Sequence, residues 1–392
     1  MRLCNLWKKT ALFFALLGTL TTAHGSAQSG FDSTIPVVDI HDFYQEKTHD
    51  QFVSQIATAL KEVGFFAVIN SGVDESVLDK AYEAAQQFFQ LDINTKLLSH
   101  DPSTNGQRGY IPGESAKGSS FGDFKEFYHV GREAVELCDY PNIWPDFFPL
   151  QEPLSALFDA LEVCKIPLEQ AICEAIGQPT DFLTQMTQDG ECLLRSIHYP
   201  ANPPEDRLWA AAHTDIDLFT ILPRATAEGL QVLNKDGVWI DVRVPENAFI
   251  VNGGDMLENL TNGLFKSSQH RVVANGKNSE RYSMVIFIHP KAADRLDPLA
   301  ECIEQTGGIR KYAKATRWEL LEERLADLGL ASPSMLEHLA TCGIMERLIE
   351  VKRASVKAMN RLKEAGLANE AILNELSRIE QEGSEARADV CI

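Results

Sequence analysis

Apolar residues in the first half of this chain come in short runs that alternate between strand-like and helical spacing. IPVVDI at residues 35–40 and FFAVI at residues 65–69 are predicted strands, being brief, β-branched or aromatic, and bounded by turn residues. Between them, His49–Glu62 repeats apolar side chains at helical spacing, and Gly64 closes that helix. Asp74 stands where an N-cap belongs, ahead of a helical run ending near Leu91. Residues 100–123, rich in Gly, Ser and Pro, are expected to form an ordered surface loop. Residues 154–177 space their apolar positions as one long amphipathic helix.

From residue 192 to residue 290 the period shortens. The runs CLLRSIHY, AAHTDIDLFTIL, GLQVL, VWIDV, AFIVN, SQHRVV and RYSMVIFI succeed one another, divided by turn residues. Asp236-Gly237 between two of them is a strong hairpin signal. Roughly seven strands at this spacing predict a sandwich or barrel, and a jelly roll closes such strands around a cavity. The expected fold is thus a mainly β core, a jelly roll, with N-terminal and C-terminal helices flanking it. From Trp318 onward the chain is helical and charged, and beyond Ser334 the charges nearly balance, which predicts a solvated helical hairpin or tail. The resulting division is a leader (1–28), an N-terminal mixed α/β region (29–185), a β core (186–333) and a charged helical tail (334–392).

Composition narrows the function. With 392 residues, 44% hydrophobic and 23% charged, the chain is neither disordered nor collagen-like nor a polytopic membrane protein. Lys and Arg number 36 against 56 Asp and Glu, a net charge of −20 with no basic block to offset it. Such a chain is expected to repel nucleic acid and anionic membrane surfaces. Arg2, Lys8 and Lys9 precede an apolar run over residues 11–20, and small residues continue through Ala27. That is the layout of a secretory signal peptide, with a run too short to span a bilayer. The leader therefore suggests export, with no stable membrane insertion after its removal. The eight cysteines are scattered and contain no CxxC pair, so they give no support for an oxidising compartment.

Of the ten histidines, one begins a His-x-Asp triplet: His213-Thr214-Asp215. In a strand these two side chains point to one face about 6.6 Å apart at Cα, and can converge on one ion at about 2.0–2.2 Å from each ligand atom. Alone, such a triplet is usually two polar residues on an exposed strand. His270, in the strand-like SSQHRVV, supplies a third ligand. Two histidines and a carboxylate form the facial triad of non-haem Fe(II) oxygenases, with positions left open for substrate and O2. Closed structural zinc would need a fourth protein ligand, and none stands at suitable spacing. Both histidines must be neutral and Asp215 ionised, so metal affinity is expected to fall below about pH 6. Arg281 and Ser283 share one face of a later strand. A guanidinium facing an apolar interior requires a carboxylate, which is either internal or a bidentate ligand with the serine hydroxyl beside it.

Residues from about 35 to 330 resemble the isopenicillin N synthase-like family of Fe(II)/2-oxoglutarate-dependent oxygenases, most closely its bacterial branch. The likeness rests on IPVVDI, GFFAVINSGV, QRGYIP, DFKEFYHVGRE, LLRSIHYP, AAHTDIDLFTIL, GLQVLNKDGVWIDV, VNGGDMLENLTNG, SSQHRVV and RYSM, in that order. The resemblance implies a double-stranded β-helix with Fe(II) held by His213, Asp215 and His270. It also implies a carboxylate held by Arg281 and Ser283, and Tyr199 at the position of a tyrosine that contacts the cosubstrate. Here the family's Asn-Tyr-Tyr-Pro run reads Ile197-His198-Tyr199-Pro200, without the asparagine.

The implied reaction consumes 2-oxoglutarate and O2, releases succinate and CO2, and oxidises a small organic substrate. That chemistry suits the cytoplasm, in tension with the leader. Three other readings use the same fold: an oxidase like isopenicillin N synthase without 2-oxoglutarate, an ethylene-forming enzyme, and a non-catalytic exported binding protein. The C-terminal helices are a candidate self-association surface. Elsewhere, His198, His129 and His289 are expected to be structural, and Lys125 and Glu126 to form a surface ion pair. Asn252, Gly253 and Gly254 are expected to make a turn or bulge.

Overall fold

The computed structural model describes residues 33–113, 122–133, 140–274 and 280–388, and the leader lies outside them. Strands β1 (Val37–Asp39), β2 (Phe65–Ile69), β3 (Gly109–Ile111) and β4 (Glu126–Gly131) come from the N-terminal region. The core adds β5 (Leu193–Tyr199), β6 (Ala210–His213), β7 (Phe219–Leu222), β8 (Leu230–Leu233), β9 (Trp239–Asp241), β10 (Phe249–Gly253), β11 (His270–Val272) and β12 (Arg281–Ile288). They form a large sheet, β1-β2-β10-β7-β12-β5-β4-β3, and a small one, β6-β11-β8-β9. Side chains of both sheets, among them Phe127, Ile197, Leu222, Leu230, Val272 and Val285, meet in one buried cluster. This is the jelly roll that the alternating runs predict.

Two expectations change. AAHTDIDLFTIL is not one strand: β6 ends at His213 and β7 begins at Phe219. The chain crosses there from the small sheet to the large one, and the Leu218 amide is already bonded to the Ile288 carbonyl of β12. The segment 100–123 is not a surface loop throughout. It contributes β3, which pairs with β4 and buries Tyr110 and Ile111. Elsewhere local chemistry behaves as read. Asp74 caps its helix by accepting from the Ser76 amide, and Asn234 and Gly237 (φ +74°) turn the β8–β9 hairpin.

Helix Gln151–Ala175 packs against helices His49–Glu62 and Glu75–Phe89, with Leu154, Leu157, Leu161, Leu168 and Ile172 fully buried. At the other end, helices Arg317–Leu328, Pro333–Thr341, Ile344–Glu350, Val356–Glu364 and Glu370–Ala388 come in sequence. The segment expected as a solvated tail is charged and helical, but it buries Leu339, Met345, Met359, Leu362, Ile372 and Leu376. At roughly 1.5–3 kcal/mol for each side chain removed from water, this is part of the core. Nearly balanced charge describes only the outer faces of these helices. No helix among the described residues is long and apolar enough to cross a membrane.

Gly254 is fixed by crowding. A Cβ on Gly254 would lie 2.0 Å from Asp217 Oδ1 and 2.3 Å from the Asp217 carbonyl oxygen. Gly254→Ala is expected to cost roughly 3 kcal/mol, the upper range for overpacking, and to lower Tm by about 5 °C or more. Calorimetry checks this; coincident melting curves would show that the turn opens freely.

Candidate active site

His213 and His270 are direct cross-strand neighbours in the β6–β11 pair, with ring centroids 4.3 Å apart. Asp215 does not share a strand with His213, since it lies in the turn after β6. Its carboxylate nonetheless returns to the pair, with Oδ1 3.8 Å from His213 Nε2 and 3.7 Å from His270 Nε2. Both separations are too long for hydrogen bonds and shorter than twice a metal–ligand bond of about 2.0–2.2 Å. Nδ1 of His213 lies 2.7 Å from the Ala211 carbonyl and Nδ1 of His270 lies 3.3 Å from the Ser268 carbonyl. A carbonyl only accepts, so each Nδ1 carries the proton and each Nε2 presents a lone pair. Three donor atoms thus converge with no proton between them, an arrangement that fits a divalent cation.

The charge state suits the same role. Burial, reinforced by the neighbouring His270, pushes His213 well below the ordinary histidine range, which favours the neutral form that binds a metal. Burial is the largest single influence on Asp215 and would raise it, but the adjacent His270 and His213 together with hydrogen bonds from Asn252 and Thr220 hold it below the usual carboxylate range.

Those last two residues are the ones sequence reasoning missed. The turn expected at Asn252 is instead strand β10. Asn252 Nδ2 and Thr220 Oγ1 donate to Asp215 Oδ2 at 2.9 and 2.7 Å, which leaves Oδ1 turned toward the imidazoles. They are themselves paired across β10 and β7. A polar residue at matching depth in each of two apolar strands was the available signal. Thr220 Oγ1 also lies 2.9 Å from Asp217 Oδ2. One hydroxyl proton cannot serve both carboxylates, and burial, then the charge of Asp215, pushes Asp217 well above the usual carboxylate range. Asn252→Ala is expected to weaken metal binding by about 10–100-fold, as loss of an outer-shell partner does. Titration with Fe(II) under anaerobic conditions checks this, and unchanged affinity would free Asp215 from that support.

Arg281 opens β12 opposite Tyr199 of β5 and is only 2% exposed. Its Nε donates to the Ala227 carbonyl at 3.0 Å, Nη1 donates to Ser283 Oγ at 3.0 Å, and its Cζ lies 5.0 Å from the Tyr199 ring centroid. These partners are uncharged, and no ion pair to Arg281 occurs among the described residues. Among the described residues this buried guanidinium has no carboxylate partner, so its remaining donors are available to a carboxylate ligand. Arg281 and Ser283 thus share a face as the alternation along β12 implied, and Tyr199 stands beside them as the family resemblance implied.

A cavity of about 690 Å³ opens beside the histidines, with His213, Asp215, Phe127 and Phe287 in its wall. Lys125 and Glu126 do not pair with each other. Lys125 is buried against Asp123 at 2.9 Å, and Glu126 binds Lys96 at 2.6 Å and His198 Nδ1 at 2.7 Å. His198 is structural as expected, because its Nε2 meets Glu280. His129 and His289 also line the cavity, and His129 Nδ1 is bonded to the Gly106 carbonyl at 2.8 Å.

Comparison with known proteins adds the decisive observation. A family model described as the 2OG-Fe(II) oxygenase superfamily matches residues 190–290, and one described as non-haem dioxygenase in morphine synthesis N-terminal matches residues 35–147. Jasmonate-induced oxygenase 3 of Arabidopsis thaliana is 32% identical over 286 residues, covering 69% of this chain and 76% of the relative. The chain belongs to the Fe(II)- and 2-oxoglutarate-dependent oxygenases. A 2OG-Fe(II) oxygenase family protein from Caulobacter crescentus superposes with TM-score 0.68 at 32% identity, covering 75% of this oxygenase and 99% of that chain. A full-length Neurospora crassa protein, solved in complex with alpha-KG, gives TM-score 0.67 at 28% identity, covering 74% and 96%. The enzyme is thus an Fe(II)- and 2-oxoglutarate-dependent dioxygenase using O2, and the oxidase and binding-protein readings give way.

Proposed function

We propose that His213, Asp215 and His270 would hold the Fe(II) and that Arg281 and Ser283, beside the Tyr199 ring, would hold the distal carboxylate of 2-oxoglutarate. The oxygenase then oxidises a C–H bond of a small organic molecule seated in the cavity beside His213. The observation that carries this reading is the convergence of two imidazole lone pairs on Asp215 Oδ1 at 3.8 and 3.7 Å. When bound, iron and 2-oxoglutarate supply the oxidising power, with succinate and CO2 released. The chain's own residues do the rest. Thr220 and Asn252 aim the carboxylate, the two backbone carbonyls fix the imidazole tautomers, and the aromatic wall keeps water from the reacting centre.

The protein, kept anaerobic, is titrated with Fe(II) and then with 2-oxoglutarate. A weak visible charge-transfer band that requires both additions is the expected result. A band that ignores 2-oxoglutarate, or no iron binding at all, would overturn the assignment of these residues.

A further inference from the structure

Helix Arg317–Leu328 lies outside both family-model matches, yet it forms part of the active-site wall. Leu321, Leu325 and Leu328, at helical spacing on one face, line the cavity with His213 and Asp215, and Leu330 continues the row. On the same helix, Arg324 Nη1 donates to the Thr214 carbonyl at 3.1 Å and Nη2 pairs with Asp255. Thr214 is the residue between His213 and Asp215, so the helix is tied to the turn that carries the candidate metal ligands.

The far side of this helix is held by the C-terminal helices. Arg347 pairs with Glu319 at 2.6 Å, and His338 Nδ1 meets Glu322 at 2.5 Å. Ser355 is bonded twice, through its hydroxyl to Asp327 and through its amide to Glu323 at 2.8 Å. The Arg361 guanidinium packs against Gly329, where the helix ends. Glu319, Glu322 and Asp327 are all buried, so each acceptor of these contacts is held inside the packing between the helices.

We propose that residues 333–388 are a buttress that sets the position of the leucine wall, and through it which substrate the oxygenase accepts. Leu321, Leu325, Leu328 and Leu330 are the specificity-determining residues, and they face a hydrocarbon or aryl part of the substrate. Arg347 and Ser355 are positioning residues that act through the helix without touching the cavity. This inference rests on the substrate occupying the cavity beside His213.

The test uses the full chain and an apolar fluorescent probe, 1-anilinonaphthalene-8-sulfonate, alongside the Fe(II)–2-oxoglutarate band. Leu328→Asp, in the wall itself, is expected to weaken probe binding at least about tenfold. Ser355→Ala and Arg347→Met are each expected to weaken it about fivefold, while the 2-oxoglutarate concentration that half-develops the band stays within about twofold of wild type. Ser355→Thr, which keeps the hydroxyl, should restore the probe. Unchanged probe binding in Ser355→Ala and Arg347→Met would overturn the proposal, and so would unchanged binding in Leu328→Asp. A parallel loss of probe and band would also overturn it, because the tail would then support the whole fold rather than one wall. Absence of the band in the wild-type protein would instead count against the iron and carboxylate assignments, and the probe would still judge the wall.

Discussion

Asp215→Ala is expected to lower succinate formation at least about a thousandfold, well beyond the 10–100-fold typical of losing an outer-shell partner. The substitution removes the donor on which both imidazoles converge and leaves two neutral nitrogens to hold the ion. It also removes the shared acceptor of the Asn252 and Thr220 donors; Thr220 keeps Asp217 Oδ2 at 2.9 Å, but Asn252 is stranded at a cost of roughly 1–3 kcal/mol, partly offset because a buried charge is removed. Stability should therefore fall modestly while activity disappears. Asp215→Asn keeps an acceptor for those two donors and separates the effects, since it should melt near wild type and remain inactive. Succinate release, bound iron and Tm are the measurements. Succinate at the wild-type rate from Asp215→Ala would place the iron elsewhere.

Arg281→Ala should raise the 2-oxoglutarate concentration needed for half-maximal turnover by roughly a hundredfold. Truncating one partner of a buried charge pair costs about 2–5 kcal/mol, and each 1.4 kcal/mol is about tenfold. Iron affinity should move by no more than about threefold, because the guanidinium makes no contact with the histidines or Asp215. Arg281→Lys should recover only part of the loss, since an ammonium keeps the charge but not the planar fork. The split between the two affinities is the diagnostic. If both fall together, the arginine supports the core; an unchanged 2-oxoglutarate requirement would mean that another group holds the cosubstrate.

Much of this architecture was legible because strand chemistry is local. Period-two runs and a hairpin Asp-Gly predicted the sheets, and side-chain alternation placed Arg281 and Ser283 on one face. His213 and Asp215 were found for a reason only partly right, because Asp215 leaves the strand and is brought back by Thr220 and Asn252. That support was hidden because it depends on which strands become neighbours, β7 beside β10, and no single run carries such information. β3 was lost inside a glycine-rich stretch because Tyr110 and Ile111 form too short a run to stand out. The tail misled for a related reason: charge balance over a helix averages its two faces, and only packing tells which face is inside.

The corner that separates Asp215 from β6 has a consequence for the durability of the enzyme. Two of the three candidate ligands belong to the small sheet, whereas the carboxylate is anchored by Thr220 and Asn252 of the large one. An ion bound there rivets one sheet to the other across the mouth of the roll. At a free-metal concentration a hundred times its dissociation constant, such a rivet adds about 2.7 kcal/mol to the folded state. The seam between the sheets is then the expected first point of opening in a chelated sample.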